Sequence, residues 1–240
     1  MDYKYSKNIP VLPSMCDYTG KLSIPEIFIL CMDIASAHAQ SMGIGYYALK
    51  EKNLFWMVIR TKVEILRRPS LAEEIEVSTW PELPSGMKCD RYYGITSDGE
   101  ELVRGMTEWG VFSMDSMRLV RTEGLIPPEF IEPHEKPCSS GFSRISRDFS
   151  SCPEIGTYKI MSVDVDLEHH MNNTSYVRAL MSMFSSEEAA SMDIKSMEVH
   201  YRAQCLEGEE LRFLERPVQG GKEYGAFCGD RLSLMARIEY

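Results

Sequence analysis

The sequence predicts an α+β fold made of two similar units in tandem, each with a long helix wrapped by an antiparallel sheet. Two observations support this prediction. A helix followed by about four strands is indicated in the first half, and the same order recurs in the second half. In addition, residues 63–77 can be aligned with residues 199–213 with little adjustment, which indicates an internal duplication.

The first half begins with the long helix. Ser23 and Glu26 form a capping box, and apolar residues then recur every three or four positions until Gly43. A strand is expected over 53–66, where a continuous apolar run gives way to alternation. Three more strands are expected, over 75–79, 89–96 and 102–114.

The second half repeats this order after a stretch rich in proline and serine. Asn172 and Asn173 are good N-cap residues for the second helix, whose apolar face is expected to include Phe184. Strands are expected over 197–201, 211–218, 224–228 and 232–240. The predicted division is an N-terminal domain (1–125), a linker (126–155) and a C-terminal domain (156–240).

A helix with one apolar stripe, followed by strands with one apolar face each, is buried by wrapping the sheet around the helix. This is the hot-dog arrangement, and the predicted fold class is therefore a tandem double hot-dog. Two such units side by side would also pair sheet edges that are otherwise exposed.

Composition excludes several classes of protein. The chain of 240 residues has a net charge of -10, which disfavours nucleic acid as a partner. It has no apolar run long enough to span a membrane and no export signal at its start, so the cytosol is the expected compartment. Its seven scattered cysteines predict reduced thiols rather than disulfides or a zinc site.

The densest polar cluster, DVDLEHHMNN at 164–173, precedes the second helix. Asp166 and His170 are suited to acid–base chemistry, and helix-start N–H groups could stabilise an oxyanion. The alternative is that these residues only cap the helix and form a solvated turn. The first half has no equivalent cluster, which favours a catalytic role confined to the second half.

Two other chemical interpretations of this region are open. A metal site built from Asp164, Asp166, His169 and His170 is disfavoured because adjacent histidines rarely point at one centre, so no metal is expected. Cys205 could act as a nucleophile with His170, but a lone cysteine near a strand end is more often a small buried residue.

Several segments resemble the acyl-acyl carrier protein thioesterases of plant plastids and bacteria. Residues 164–176 are similar to the family signature D-x-D-x-N-x-H-x-N-N-x-x-Y, and residues 200–205 to D-Y-R-x-E-C. In the first half, the family's N-L-x-W, R-x-P and T-W landmarks resemble the segments at Asn53–Trp56, Arg68–Pro69 and Thr79–Trp80. The resemblance covers nearly the whole chain.

The resemblance implies an enzyme that hydrolyses fatty acyl-acyl carrier protein to free fatty acid and so terminates fatty-acid synthesis. Asp166 and His170 match the family's catalytic aspartate and histidine. Glu168 replaces a catalytic asparagine and Gln204 replaces a glutamate, so a carboxylate has moved from one position to the other. Matches to residues expected around the substrate are Asn172, Asn173 and Cys205.

The resemblance also implies an acyl tunnel beside the first helix, for which the candidate lining residues are Trp56, Met57, Met32 and Ile34. Plain core packing is the alternative for each. Acyl carrier protein is acidic and would need a basic patch, for which the candidates are Arg60, Lys62, Arg67 and Arg68, or Arg144 with Arg147. No cofactor and a monomer or homodimer are expected. Alternative functions are an acyl-coenzyme A thioesterase, a hot-dog dehydratase or a non-enzymatic acyl-binding protein.

Overall fold

The computed structural model describes residues 3–131 and 136–240. The elements of the first half are β1 (Tyr5–Pro10), α1 (Ile24–Ser41), α2 (Tyr46–Lys50), β2 (Leu54–Ile65), β3 (Glu74–Pro81), β4 (Cys89–Ser97), β5 (Glu100–Ser113) and β6 (Arg118–Val120). Those of the second half are β7 (Glu154–Lys159), α3 (Asn173–Met181), α4 (Ser186–Ser191), β8 (Ser196–Tyr201), β9 (Glu210–Val218), β10 (Gly221–Cys228) and β11 (Arg231–Glu239).

One antiparallel sheet passes through both halves in the order β1-β3-β4-β5-β2-β8-β11-β10-β9-β7, and β6 extends β5. The order of the second half mirrors that of the first. The halves meet where β2 pairs with β8, so the expected pairing of sheet edges is confirmed. The fold class is the predicted α+β double hot-dog.

The seam between the halves agrees with the predicted duplication. When the alignment of 63–77 with 199–213 is extended by one residue at its start, Lys62 corresponds to Glu198. These two residues lie opposite each other at the centre of the β2–β8 ladder. Equivalent residues that face one another in this way are expected when two copies of one unit are related by an approximate two-fold axis.

Helix α1 lies against the inner face of the sheet. The Ser23 side chain accepts a hydrogen bond from the N–H of Glu26, as the capping box predicts, and α1 buries Ile27, Phe28 and Cys31 in the main core. Helix α3 packs beside it. Burial of both apolar faces in one cluster explains why the sheet curves around the two helices.

Helix α3 is shorter than the second helix expected from the sequence. It ends at Met181, whereas Phe184 lies beyond it and packs against the core. The reason is local: Ser185 and Glu188 form a second capping box, which starts α4 as a separate helix. The inclusion of Phe184 in the helical face was therefore wrong.

The sequence did not predict the edge strands β1 and β7, and β7 begins inside the region assigned to the linker. Much of that region is also ordered against the outer face of the sheet. We call residues 138–143 the strap. Its Ser139 N–H and hydroxyl donate to Glu64 on β2, and its Ser143 N–H donates to Glu198 on β8. The strap therefore crosses the seam and satisfies a buried carboxylate on each side of it.

Within the described residues, no helix has the length and apolar character needed to cross a membrane.

Candidate functional site

A cavity of about 690 Å³ lies between α1, α2, the strands of the first half and the polar loop that precedes α3. Its volume is in the usual range for small-molecule sites. Its lining residues from the first half are Ala35, Ser36, Ala39, Gln40, Gly45, Tyr46, Tyr47, Phe55, Trp56, Cys89, Arg91 and Trp109, and those from the second half are Val165, Asp166, Leu167, Glu168 and Asn172.

The polar loop is a tight hairpin. Val165 pairs with Met171, and the N–H of Asp166 donates to the carbonyl of His170 over 2.8 Å. His169 has a φ of 61°, the left-handed conformation that the turn requires. The N–H of Met171 donates to the carbonyl of Cys205 over 2.8 Å, which attaches the loop to the segment after β8. The loop is therefore held on both sides.

Asp166 is fixed by the backbone of its own loop. Its Oδ1 accepts hydrogen bonds from the N–H groups of Glu168 at 2.9 Å and His170 at 3.3 Å. Its Oδ2 receives no hydrogen bond from the described part of the chain. The half-buried imidazole of His170 likewise makes none there. Asp166 and His170 are thus joined by the main-chain N–H of His170 and not by a contact between their side chains.

Glu168 reaches across the cavity to the first half. Its Oε1 accepts a hydrogen bond from the hydroxyl of Tyr46 over 2.5 Å. Lys50, one turn further along α2, donates to the same hydroxyl over 2.7 Å and lies 3.7 Å from Glu168. The hydrogen bond to Tyr46 and the nearby negative charges raise the pKa of Lys50. The carboxylate of Glu168, which belongs to the second half, is therefore held by side chains of the first half.

The two asparagines at the start of α3 have different environments. The side-chain oxygen of Asn172 accepts from the N–H and the hydroxyl of Thr174, both at 2.9 Å, and so caps the helix. The carbonyl of Asn172 accepts from Ser175 and Tyr176. Among the helix-start amides, the N–H of Asn173 has no acceptor in the described residues. Asn172 lines the cavity and Asn173 follows it, so this unpaired amide lies next to a lining residue.

Gln204 and Cys205 lie on the segment that supports the loop. Gln204 is exposed and does not line the cavity. Cys205 is fully buried, and its thiol donates to the hydroxyl of Ser233 over 3.1 Å. This burial places the thiol in the packing beneath the loop.

The residues weighed as a disfavoured metal site, Asp164, Asp166, His169 and His170, do not form a ligand cluster among the described residues. Asp164 is fully buried and accepts from the Tyr158 hydroxyl at 3.0 Å and the Met161 N–H at 2.9 Å. The ligand atoms that do converge within the described chain, inside 4.8 Å of one another, belong to Cys205, Glu209 and Cys228. Arg231 already binds Glu209, and burial raises the pKa of Cys228 to about 11, which disfavours the thiolate that a metal needs.

Of the four tunnel candidates, Trp56 lines the cavity. Its indole N–H donates to the carbonyl of Ile44 over 2.8 Å, and its ring meets Trp109 edge to face at 6.0 Å. Ile34 is buried in the main core, Met32 packs against that core, and Met57 is partly buried on β2. These three do not line the cavity, so their tunnel role stays a prediction.

Sequence reasoning missed Arg91, which lies on β4 with its side chain in the cavity wall. It is only 5% exposed. Its NH1 group is 3.2 Å from Oγ1 of Thr79 and 3.1 Å from Nδ1 of the buried His38. Burial and the positive charge of Arg91 lower the pKa of His38 to about 4. The signal in the sequence was the alternation of β4, which places Arg91 on the same face as Cys89.

A second cavity, of about 710 Å³, is lined by arginines on the outer side of the seam. We call it the arginine cleft, and it contains Arg60, Arg144, Arg147 and Arg202 together with Phe142 and His200. Only Arg60 of these arginines forms an ion pair within the described chain, with Glu108 at 2.8 Å. The cleft therefore has uncompensated positive charge.

The other basic patch considered from the sequence is neutralised. Lys62 is paired with Glu64, and Arg68 is paired with Asp17. Arg67 is paired with both Glu73 and Glu100.

Two family models match the chain. The acyl-ACP thioesterase N-terminal domain matches residues 2–133, and the acyl-ACP thioesterase C-terminal domain matches residues 151–231. A curated relative, the chloroplastic oleoyl-acyl carrier protein thioesterase 2 of Arabidopsis thaliana, is 24% identical over 205 residues, covering 78% of this chain and 56% of that protein. The chain thus spans somewhat more than half the length of this relative.

Solved structures show the same fold. An acyl-ACP thioesterase from Bacteroides thetaiotaomicron superposes with a TM-score of 0.89 at 19% identity, covering 99% of this chain and 97% of that chain. The 12:0-ACP thioesterase from Umbellularia californica gives a TM-score of 0.85 at 20% identity, covering 99% and 96%.

Proposed function

Because the chain belongs to the acyl-ACP thioesterase family, we propose that it hydrolyses the thioester of fatty acyl-acyl carrier protein and releases the free fatty acid. The observation that carries the proposal is the shared cavity. There the carboxylates of Asp166 and Glu168 face an apolar, aromatic wall that includes Trp56 and Trp109. A reactive polar end and an apolar body are what an acyl thioester requires.

In the proposed reaction, a water molecule attacks the carbonyl carbon, the C–S bond breaks, and the carrier thiol leaves with a proton. Asp166 would accept the proton from the water through its free Oδ2, since its Oδ1 is held by two amides. The N–H of Asn173 would stabilise the developing oxyanion. Direct attack by Asp166 on the carbonyl is the alternative course.

Three further roles are part of the proposal. Glu168, held by Tyr46, would orient the attacking water in place of the family's asparagine. His170 and Gln204 would position the reacting groups, although neither makes a side-chain hydrogen bond with the described residues. The N-terminal domain would bind the acyl chain and the C-terminal domain would supply the catalytic groups.

We propose the arginine cleft as the docking surface for acyl carrier protein. The chain as a whole has a net charge of -10 and would repel an acidic partner. Arg144, Arg147 and Arg202 concentrate positive charge at one place, with no ion pair among the described residues. Such local complementarity can steer an acidic protein to one face of an acidic enzyme.

The activity is tested by hydrolysis of a panel of acyl-acyl carrier proteins and the matching acyl-coenzyme A esters, with wild type and Asp166→Asn. We expect release from the carrier-bound panel and a loss of about a hundredfold or more in kcat for the variant. Faster hydrolysis of the coenzyme A panel would contradict carrier preference. No hydrolysis of either panel would overturn the proposal.

The docking surface is tested with Arg144→Ala, Arg147→Ala and Arg202→Ala. We expect a higher KM for acyl-acyl carrier protein at low salt, little change in kcat, and an unchanged KM for acyl-coenzyme A. Arg121→Ala is the matched control, because that side chain is 78% exposed and lies outside the cleft. An equal change in KM for both substrates would exclude the cleft as a protein-docking surface.

The cytosol is the proposed compartment. All seven cysteines are free thiols in the structure, as expected in a reducing environment.

A further inference from the structure

The Arg91 guanidinium in the cavity wall has no carboxylate partner among the described residues. Its contacts are to a hydroxyl and to a neutral imidazole, both made through NH1. A buried cation without an opposite charge is costly, and natural proteins rarely tolerate one unless a ligand or ion completes the site. Two other strand arginines of the first half are paired with carboxylates: Arg60 with Glu108 and Arg104 with Glu101.

The His38 imidazole beside Arg91 also carries an N–H group without an acceptor. A guanidinium can only donate, so Nδ1 of His38 must accept from it and Nε2 must carry the proton. That Nε2 is buried and has no hydrogen-bond partner. The indole Nε1 of Trp109, another residue of the cavity wall, is also buried, and the Tyr93 hydroxyl is a neighbouring polar group. Arg91 and Trp109 therefore bring N–H donors to the cavity wall, and Arg91 has no anionic acceptor among the described residues.

Arg91 lies deeper in the cavity wall than Asp166 of the polar loop. Asp166 is exposed to solvent, whereas Arg91 is 5% exposed and projects from the middle of β4 toward α1. Cys89 and Trp109, which are paired across β4 and β5, also line the wall. A chain that enters at the loop and extends into the first half would bring its far portion toward Arg91.

We infer that the acyl chain accepted by this cavity carries an oxygen function remote from the thioester, a carboxylate, hydroxyl or oxo group, and that Arg91 binds this oxygen. The inference rests on the proposed thioesterase function. It predicts selectivity against plain alkyl chains, because an alkyl chain would leave the guanidinium buried and unpaired. Rejection of substrates that lack a required polar group is typically strong for this reason.

The test uses acyl-acyl carrier proteins of equal chain length that end in methyl, hydroxyl or carboxylate. For wild type we expect kcat/KM to be at least about tenfold higher for one of the oxygenated chains than for the methyl-ended chain. Arg91→Met should remove that preference by lowering kcat/KM for the oxygenated chain and leaving it equal or higher for the alkyl chain. Arg104→Met, a strand arginine outside the cavity, is the control and should keep the wild-type preference.

A binding measurement separates this inference from the proposed function. Trp56 and Trp109 line the cavity, so quenching of tryptophan fluorescence reports binding of the free hydroxy, dicarboxylic or plain fatty acid without any hydrolysis. Tighter binding of an oxygenated acid by wild type, lost in Arg91→Met, supports the inference even if no thioester is cleaved. Failure of hydrolysis alone would overturn only the proposed function.

Three outcomes would overturn the inference. One is a wild-type preference for the methyl-ended chain. Another is an equal fall in kcat/KM for all three chains in Arg91→Met, which would assign Arg91 to the thioester carbonyl instead. If Arg91→Met does not fold, Arg91→Lys and Trp109→Phe are measured in its place. The third contradicting outcome is that both of these variants keep the wild-type selectivity.

Discussion

The Tyr46 hydroxyl donates a hydrogen bond to Oε1 of Glu168 over 2.5 Å, and this bond joins α2 of the first half to the polar loop of the second. Lys50 donates to the same hydroxyl, so a cation, a phenol and a carboxylate form one chain of contacts across the cavity. The position of Glu168 therefore depends on the first half.

Tyr46→Phe is expected to lower kcat by about tenfold with little change in KM, because the carboxylate of Glu168 loses the donor that orients it. In a Glu168→Gln background the same substitution should cause no further loss. Lys50→Met is the control, since it removes the charge and leaves the phenol bonded to Glu168. Steady-state kinetics of the four variants provide the test. An unchanged kcat in Tyr46→Phe would show that Glu168 does not need this hydrogen bond, and an unchanged kcat in Glu168→Gln would show that the carboxylate has no catalytic role.

His38 should make stability depend on pH between about 6.5 and 4. Its pKa is lowered to about 4 in the folded protein from 6.5, so the unfolded chain binds more protons in this interval. Stability is therefore fully present above pH 6.5 and falls as the pH drops toward 4, by up to about 3 kcal/mol. Urea unfolding of wild type and His38→Gln at pH 7.5, 6.5, 5.5 and 4.5, chosen to bracket the interval, measures the effect.

The glutamine can still accept from Arg91, so the variant should lose most of the pH dependence in this window. Carboxylates contribute at lower pH: the pKa of Glu73 is lowered to about 2, chiefly by its hydrogen bonds from Arg67. An equal slope for wild type and His38→Gln between pH 6.5 and 4.5 would contradict the assignment.

Asn172→Ala should reduce the free energy of unfolding by about 1 kcal/mol, because the side chain caps α3. The matched control is Asn173→Ala, whose side chain makes no such cap. We expect this control to stay within about 0.5 kcal/mol of wild type. Chemical denaturation of both variants gives the comparison, and equal destabilisation of the two would argue against the cap.

Glu198→Gln should destabilise the protein by about 2 kcal/mol or more. The carboxylate is buried, accepts from the N–H of Ser143 at 2.8 Å and contacts Nε2 of His200 at 2.5 Å. Glutamine would present an N–H₂ group to one of these donors. Glu101→Gln on β5 is the control for an exposed carboxylate, and equal effects on the two denaturation midpoints would contradict a role for the strap in stability.

The fold was predictable because its signals are local. The capping box at Ser23, the alternation in β2 and the duplicated segments each occupy a short stretch of chain, and together they specify two wrapped helices. The edge strands β1 and β7 could not be predicted in this way, because β1 is mostly exposed and β7 follows a proline-rich region. The pairing of these strands depends on partner strands that a local sequence pattern does not identify.

The sequence located the cavity wall in the polar loop and at Trp56, and missed other residues of the first half. Asp166, Glu168 and Asn172 are close in sequence, so their clustering in the cavity wall needed no long-range information. Tyr46 and Arg91 reach the same cavity from distant elements of the first half. Neither carries a motif, and only the packing of α2 and β4 against the loop brings them there.

The two halves that meet at Lys62 and Glu198 belong to one chain, and this affects how their sequences can evolve. In a symmetric dimer of single units, every substitution occurs twice and must be tolerated at two equivalent places. In this chain, related positions in the two halves can mutate separately. The cavity wall of the first half can therefore accept a residue such as Arg91 while the polar loop of the second half changes or stays constant independently.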